Sequence, residues 1–219
     1  ALERYEADAI RYYLTNAMPE QRDTDWDWEE FFQRNNNELV ATWGNLVNRV
    51  LSFTYKNFDG KIPNPGQLRE SDETLLQVIR AGFDSVATKL EQVELKAALA
   101  EVMALAGEVN KYLDLHAPWF EIKTDREQAG KSLYTAIQAI EWIKVMSAPF
   151  LPHTSETLHQ LLAHSAPLFG EQFSRFEKDA LGEHEILGLN NAVAEGKPGQ
   201  DIWTPVVLEA DKAFNQPLP

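Results

Sequence analysis

From Trp28 to about Phe58 the chain can form one helix of roughly 45 Å, and a helix that long constrains everything packed on it. Asp27 can cap its start, with Glu30 reaching back from three positions later as a capping box. Asp59-Gly60 can stop it, and Pro63 and Pro65 form a stiff connector behind the stop. Such a rod buries its apolar side only against other helices of comparable length.

The sequence offers several. Residues 5 to 18 have helical spacing, with Ile10, Tyr13, Leu14 and Ala17 on one stripe, and Pro19 ends that run before the loop EQRDTD. A third helix is expected after Ser71, with Asp72 and Glu73 in its first turn and Leu75, Leu76, Ile79, Phe83 and Val86 pointing inward. A fourth runs from about Val93 to His116, with Leu95, Leu99, Val102, Leu105, Val109 and Leu113 near heptad spacing. Pro118-Trp119-Phe120 marks a turn. Thr124 with Glu127 is a second capping box, opening a fifth helix to about Ser147. After Pro149 and Pro152, Thr154 or Ser155 caps a short sixth helix through Leu162.

Beyond residue 165 the periodicity weakens, and Gly170, Gly182, Gly188, Gly196 and Gly199 punctuate the tail. Ile186-Leu187 and Val206-Val207-Leu208 suit short strands or extended segments lying on the bundle. The expected fold is all-α: an antiparallel bundle of five to six helices over 1–165, with an irregular C-terminal extension over 166–219 packed on it.

Composition excludes several classes of function. No run of about 18 apolar residues indicates a membrane span. The charged opening Ala1-Leu2-Glu3-Arg4 does not resemble a signal peptide, and the lack of cysteine removes disulfides and thiolate metal sites. A cytoplasmic location is expected. The net charge of −14 argues against nucleic-acid binding by bulk electrostatics, yet leaves room for a reader of a few unstacked bases.

No phosphate loop, dinucleotide fingerprint, GxSxG or HExxH is present, so no catalytic residues are expected. His153, His159 and His164 fall close in sequence, but their spacings of six and five match no usual ligand pattern, and no metal site is expected. Asn45 and Arg49, four apart, share one helix face. An amide beside a fork of donors can read the Watson–Crick edge of a base; the plainer alternative is ordinary surface polarity. Trp119, behind a proline at a chain reversal, suits either a core plug or a stacking platform for an unpaired base.

Several words of the sequence carry a resemblance. YEADAIRYYL followed by an Asp-rich loop, then DWEEFFQRNNNELVATWGNLVNR, is similar to the opening of the anticodon-binding helices of class I aminoacyl-tRNA synthetases. NNNELVATWGNLVNRV, NKYLDLHAPW and APFLPHTSETL, in that order, resemble methionyl-tRNA synthetases in particular, over residues 5 to about 162. The final Pro217-Leu218-Pro219 resembles the start of a late proline-rich segment of that family.

The resemblance implies a helix bundle that grips the anticodon stem-loop of methionine tRNA, initiator and elongator, and reads CAU. It implies that Asn45 and Arg49 bond the first anticodon base, that Trp119 stacks on an unstacked base, and that Pro118 shapes the turn. The HIGH and KMSKS signatures of the class are absent from these residues. The resemblance therefore implies a catalytic domain elsewhere in a parent ligase, using ATP and magnesium with zinc as a further candidate. This stretch would need no cofactor and would be inactive alone. Two alternatives remain at this level: the anticodon-binding domain of another class I synthetase, and an acidic helical scaffold for protein partners.

Overall fold

A computed structural model describes residues 4–18, 25–162, 164–190 and 203–215. The helices are α1 (Ala7–Asn16), α2 (Trp28–Arg34), a π-helical segment (Asn35–Gly44), α3 (Asn45–Asn57), α4 (Glu70–Glu91), α5 (Leu95–His116), the single turn α6 (Pro118–Glu121), α7 (Arg126–Ser147) and α8 (Pro152–Leu161). A hairpin of β1 (Glu171–Asp179) and β2 (Gly182–Asn190) follows. Among the described residues no helix is long and apolar enough to cross a membrane. Pro19, most of the EQRDTD loop, Gly196, Gly199 and the closing Pro217-Leu218-Pro219 lie outside the described residues.

The core is built around α7, which is buried on all sides from Ala129 to Ser147. Helices α4 and α5 pack on it and on each other through Ile79, Phe83, Val86, Leu99, Val102 and Val109. They approach closely at Gly82, where a Cβ would come within 2.5 Å of Leu105 Cδ1. A helix wrapped by neighbours must satisfy every polar group internally. On α7 most of these groups recur every third position, Ser132, Thr135, Gln138, Glu141, Lys144 and Ser147, all buried, with Lys131 beside the row donating to Gln67 O. A three-residue step on a 3.6-residue helix winds the row around the axis, so successive members meet different elements. Ser132 accepts from Arg69 before α4 at 2.7 Å, and Ser147 meets Ser155 of α8 at 3.1 Å. Gln138 accepts from Leu208 N at 2.7 Å and donates to Val206 O at 2.8 Å. With Trp142 Nε1, which also donates to Val206 O at 2.7 Å, this amide holds the expected extended segment around Val206-Val207-Leu208 on the bundle.

The long helix expected over 28–58 is continuous, but its middle third is a π-helix. There the amide of Asn45 donates to Val40 O, five residues back rather than four. Hydrophobic periodicity does not reveal such a widening, which shifts the angular phase of α3 relative to α2.

Several expected helix starts are corrected. Asp27 caps α2 through a 3.0 Å bond from Glu30 N, but the Glu30 carboxylate turns to Arg34 at 2.7 Å instead of reaching back. Helix α4 starts at Glu70 with Arg69 as its cap residue: Asp72 accepts from the Arg69 amide at 2.8 Å, leaving Ser71 inside the helix. Helix α7 is capped by Asp125, which accepts from Gln128 N at 3.0 Å, while Thr124 donates to Glu121 O. Neither Thr154 nor Ser155 caps α8; Asp8 of α1 does so from a distance, accepting from Thr154 N at 2.6 Å. In α1 itself Tyr12 and Tyr13 are buried and Leu14 is half exposed, so the inward stripe differs from the expected one. The tail also holds more order than expected: β1 and β2 pair antiparallel over nine residues each, joined at Ala180-Leu181.

Candidate nucleic-acid interface

Helix α3 begins where the π segment ends, and its two sides divide cleanly. Leu46 and Val50 are buried, while Asn45 and Arg49 are exposed. Phe53 continues the row of Asn45 and Arg49 at the same four-residue step.

On the opposite side of the site, α5 ends at His116 and the chain reverses at Ala117. That residue holds φ 41°, ψ 56°, a left-handed conformation that costs a non-glycine residue of order 1–2 kcal/mol. Pro118 follows as the first residue of α6, where its missing N–H removes no helix bond and its fixed φ sets the direction of the turn. Pro118 is buried and Trp119 half-buried. The reversal delivers the Trp119 ring to α3: Phe53 meets it edge-on, centroids 5.9 Å apart at 90°, and Arg49 Cζ lies 4.4 Å from its centroid.

Arg49 and Trp119 thus meet from two segments about seventy residues apart in the chain, with Asn45 one turn before Arg49 on the same helix face and Pro118 next to Trp119. Trp119 is partly packed against the core, so its two candidate roles are not exclusive. Two further members were not singled out in the sequence, although Phe53 continues the four-residue step and Asn110 opens the NKYLDLHAPW word. Phe53 supports the ring, and Asn110 of α5 accepts from Arg49 Nη2 at 3.2 Å. Among the described residues Arg49 has no carboxylate within salt-bridge distance, whereas Arg34, Arg69 and Arg126 each face one. In a chain of net charge −14, the Arg49 guanidinium thus has an aromatic ring and an amide oxygen, rather than a carboxylate, as its neighbours among the described residues.

A second cluster lies between α7 and α8. Lys144 Nζ donates to Glu141 Oε1 at 2.6 Å and meets His159 Nδ1 at 2.8 Å; His164 Nε2 lies 3.1 Å from Glu141 Oε2. The rings of His159 and His164 stack at 3.9 Å. Folding therefore brings two of the three neighbouring histidines to a carboxylate, which spacing alone did not suggest, while His153 sits apart at the start of α8. Glu141, His159 and His164 could offer ligand atoms to a cation, but the Lys144 ammonium already bonds two of them.

Burial and the adjacent Lys144 and His164 pull the His159 pKa down to about 3. The native ring is therefore neutral where an unfolded one, near 6.5, takes up a proton, so stability present above pH 6.5 is lost as pH falls toward 3. His116, lowered mainly by burial, acts in the same direction. His159→Gln should flatten the fall in melting temperature between pH 6.5 and 5, a window above the ordinary carboxylate range. An unchanged profile would show that His159 is not a source of the acid sensitivity.

Two family models match successive parts of the chain. Residues 62–181, which include Asn110, Pro118 and Trp119, match the model of the anticodon binding domain of methionyl tRNA ligase. The chain belongs to the methionyl-tRNA ligase family. Residues 1–51, which include Asn45 and Arg49, match the class I tRNA synthetases of the methionine type. Among relatives, the methionine–tRNA ligase of Thermomicrobium roseum is 47% identical over 218 residues, covering all of this chain and 37% of that protein. That of Chloroflexus aurantiacus is 45% identical over 219 residues, covering 100% and 36%. The chain thus spans little more than a third of the length of these two relatives. Mycobacterium tuberculosis methionyl-tRNA synthetase in complex with methionyl-adenylate superposes with TM-score 0.71 at 27% identity, over 74% of this chain and 33% of that one. The free-state structure of the same enzyme shares the fold with TM-score 0.75 at 24% identity, over 96% and 37%.

Proposed function

We propose that this chain reads the CAU anticodon of methionine tRNAs, initiator and elongator, through Asn45, Arg49, Pro118 and Trp119. It does so as the recognition part of a cytoplasmic ligase that joins methionine to tRNA. Residues 1–165 form the reading bundle and 166–219 an extension on it. ATP and magnesium, and zinc where a site exists, serve the catalytic domain of the parent, to which this part is attached. The observation that carries the reading is the exposed Arg49 guanidinium held over the Trp119 ring, free of any carboxylate among the described residues.

The chemistry suits a cytosine. A base laid on Trp119 displaces the guanidinium sideways into the plane of the base, where its donors face the Watson–Crick edge. Cytosine presents acceptors at O2 and N3; uracil presents N3–H, which repels a donor. Asn45, one turn away, supplies an amide that can both donate and accept.

The test is a titration of the chain with anticodon stem-loops carrying CAU or UAU at several salt concentrations. Preference for CAU, with a shallow salt dependence because few phosphates are neutralised, is the expected result. Equal affinity for both loops with a steep salt slope would overturn the reading. The charge of −14 favours a second reading, a scaffold for protein partners, and absence of binding to either loop would favour it.

A further inference from the structure

We propose that Asn110 is a positioning residue for base reading: it fixes the Arg49 guanidinium and couples it to the π segment. The inference rests on Arg49 being a base contact. Asn110 uses both ends of its amide. Its Oδ1 accepts from Arg49 Nη2 at 3.2 Å, and its Nδ2 donates to Thr42 O at 3.1 Å and Ala106 O at 3.2 Å. Ala106 O is one turn back on its own helix, so the amide is oriented by α5 and reaches across to two elements of the long helix.

Both contacts matter for different reasons. Thr42 O belongs to the π segment, two residues before its last residue Gly44, so this bond pins the register from which Asn45 and Arg49 project. The Oδ1 contact removes freedom from a long side chain that is otherwise exposed at the surface. Four of the five guanidinium N–H donors stay available, because Asn110 takes one. A neutral acceptor suits this task better than a carboxylate: it orients the cation without cancelling the charge. An arginine tethered at one Nη can shift from the Trp119 ring to the edge of a stacked base without losing its anchor.

Asn110→Ala removes both contacts. Asn110→Asp keeps an acceptor for Arg49 but cannot donate to Thr42 O, so the pair separates holding Arg49 from merely bracing the long helix. Side-chain 15N relaxation of Arg49 in the free chain reads the first role without any RNA. The guanidinium should be ordered in the wild type, mobile in N110A and ordered again in N110D. An Arg49 as ordered in N110A as in the wild type would overturn the inference. The second readout is the affinity ratio for CAU over UAU stem-loops. It should fall about three- to tenfold in N110A, the scale of one hydrogen bond, with Arg49→Lys as the reference. If R49K lowers the ratio and N110A does not, Asn110 has no part in reading and the inference fails. If N110A frees Arg49 and neither variant changes the ratio, the base-reading role of Arg49 fails instead, and the inference built on it falls with it. Melting temperatures confirm that each variant is folded under the conditions of measurement.

Discussion

Trp119→Ala in the full-length parent enzyme should lower the efficiency of tRNA charging about ten- to a hundredfold, because base stacking on an aromatic ring contributes roughly 1–3 kcal/mol and about 1.4 kcal/mol is tenfold. Methionine activation should be unchanged, since that step needs no anticodon. The ring also has a structural share: it is half-buried, edge-on to Phe53 and covered by Arg49. Truncating a fully buried tryptophan costs about 3–5 kcal/mol, so a half-buried one should lose less stability than that. Trp119→Phe separates the two roles. It keeps an aromatic face for the base and most of the contact with Phe53, and it should recover most of the charging efficiency. If Trp119→Ala instead lowers charging of correct and altered anticodons in parallel and its chief effect is on melting temperature, the ring is a core plug and its stacking role is withdrawn.

How far the interface could be read from sequence depends on the distance over which each relation acts. Asn45 and Arg49 were legible because a four-residue step on a helix fixes a shared face whatever the fold does. Trp119 was legible as an aromatic after a proline, without any indication of what it would meet. Asn110 was not, although it opens the NKYLDLHAPW word, because its meaning depends on α5 lying against the π segment. The fold divides the same way. Helices α4, α5 and α7 followed from apolar periodicity and punctuation. At α8 the expected cap failed because a tertiary partner, Asp8, displaced the local one, whereas at α2 and α7 local rivals, Arg34 and Asp125, did so. The Arg69 cap is a case of both: its guanidinium bonds Asp72, Tyr112 and Ser132 at once. Burial works to raise the Asp72 pKa, and hydrogen bonds from Arg69 and Tyr112 outweigh it and hold the carboxyl below its ordinary value. The strand at Ile186-Leu187 was expected as a short piece, but its pairing with β1 over nine residues was not, because the side chains over 173–186 are largely exposed and leave little hydrophobic pattern to find.

Breaking the Glu141–Lys144 pair should cost a large share of the stability of the fold. In sequence it is an ordinary pair three residues apart, of the kind that contributes little on a helix surface. On α7 it is buried, Lys144 wholly and Glu141 to 1% exposure. Burial works to raise the Glu141 pKa, and the His164 hydrogen bond with the charge of Lys144 overcomes it and holds the carboxylate ionised. Lys144 is lowered by its own burial, against the pull of Glu141. Lys144→Met therefore leaves a buried carboxylate supported by His164 alone, and losing one partner of such a pair costs about 3–5 kcal/mol. At about 2–4 °C per kcal/mol for a chain of this size, the melting temperature should fall by roughly 6–20 °C. The pH dependence gives the mechanism its own signature. Without Lys144 the native Glu141 pKa should rise above its unfolded value, so the mutant regains stability as pH falls and the carboxyl protonates. The deficit should be smaller at pH 5 than at pH 8. Glu141→Leu combined with Lys144→Met removes both charges from the interior and should recover much of the loss. A Lys144→Met variant that melts within a degree or two of the wild type at pH 8 would mean that water or the neighbouring histidines already satisfy Glu141, and that the ammonium is not what stabilises it.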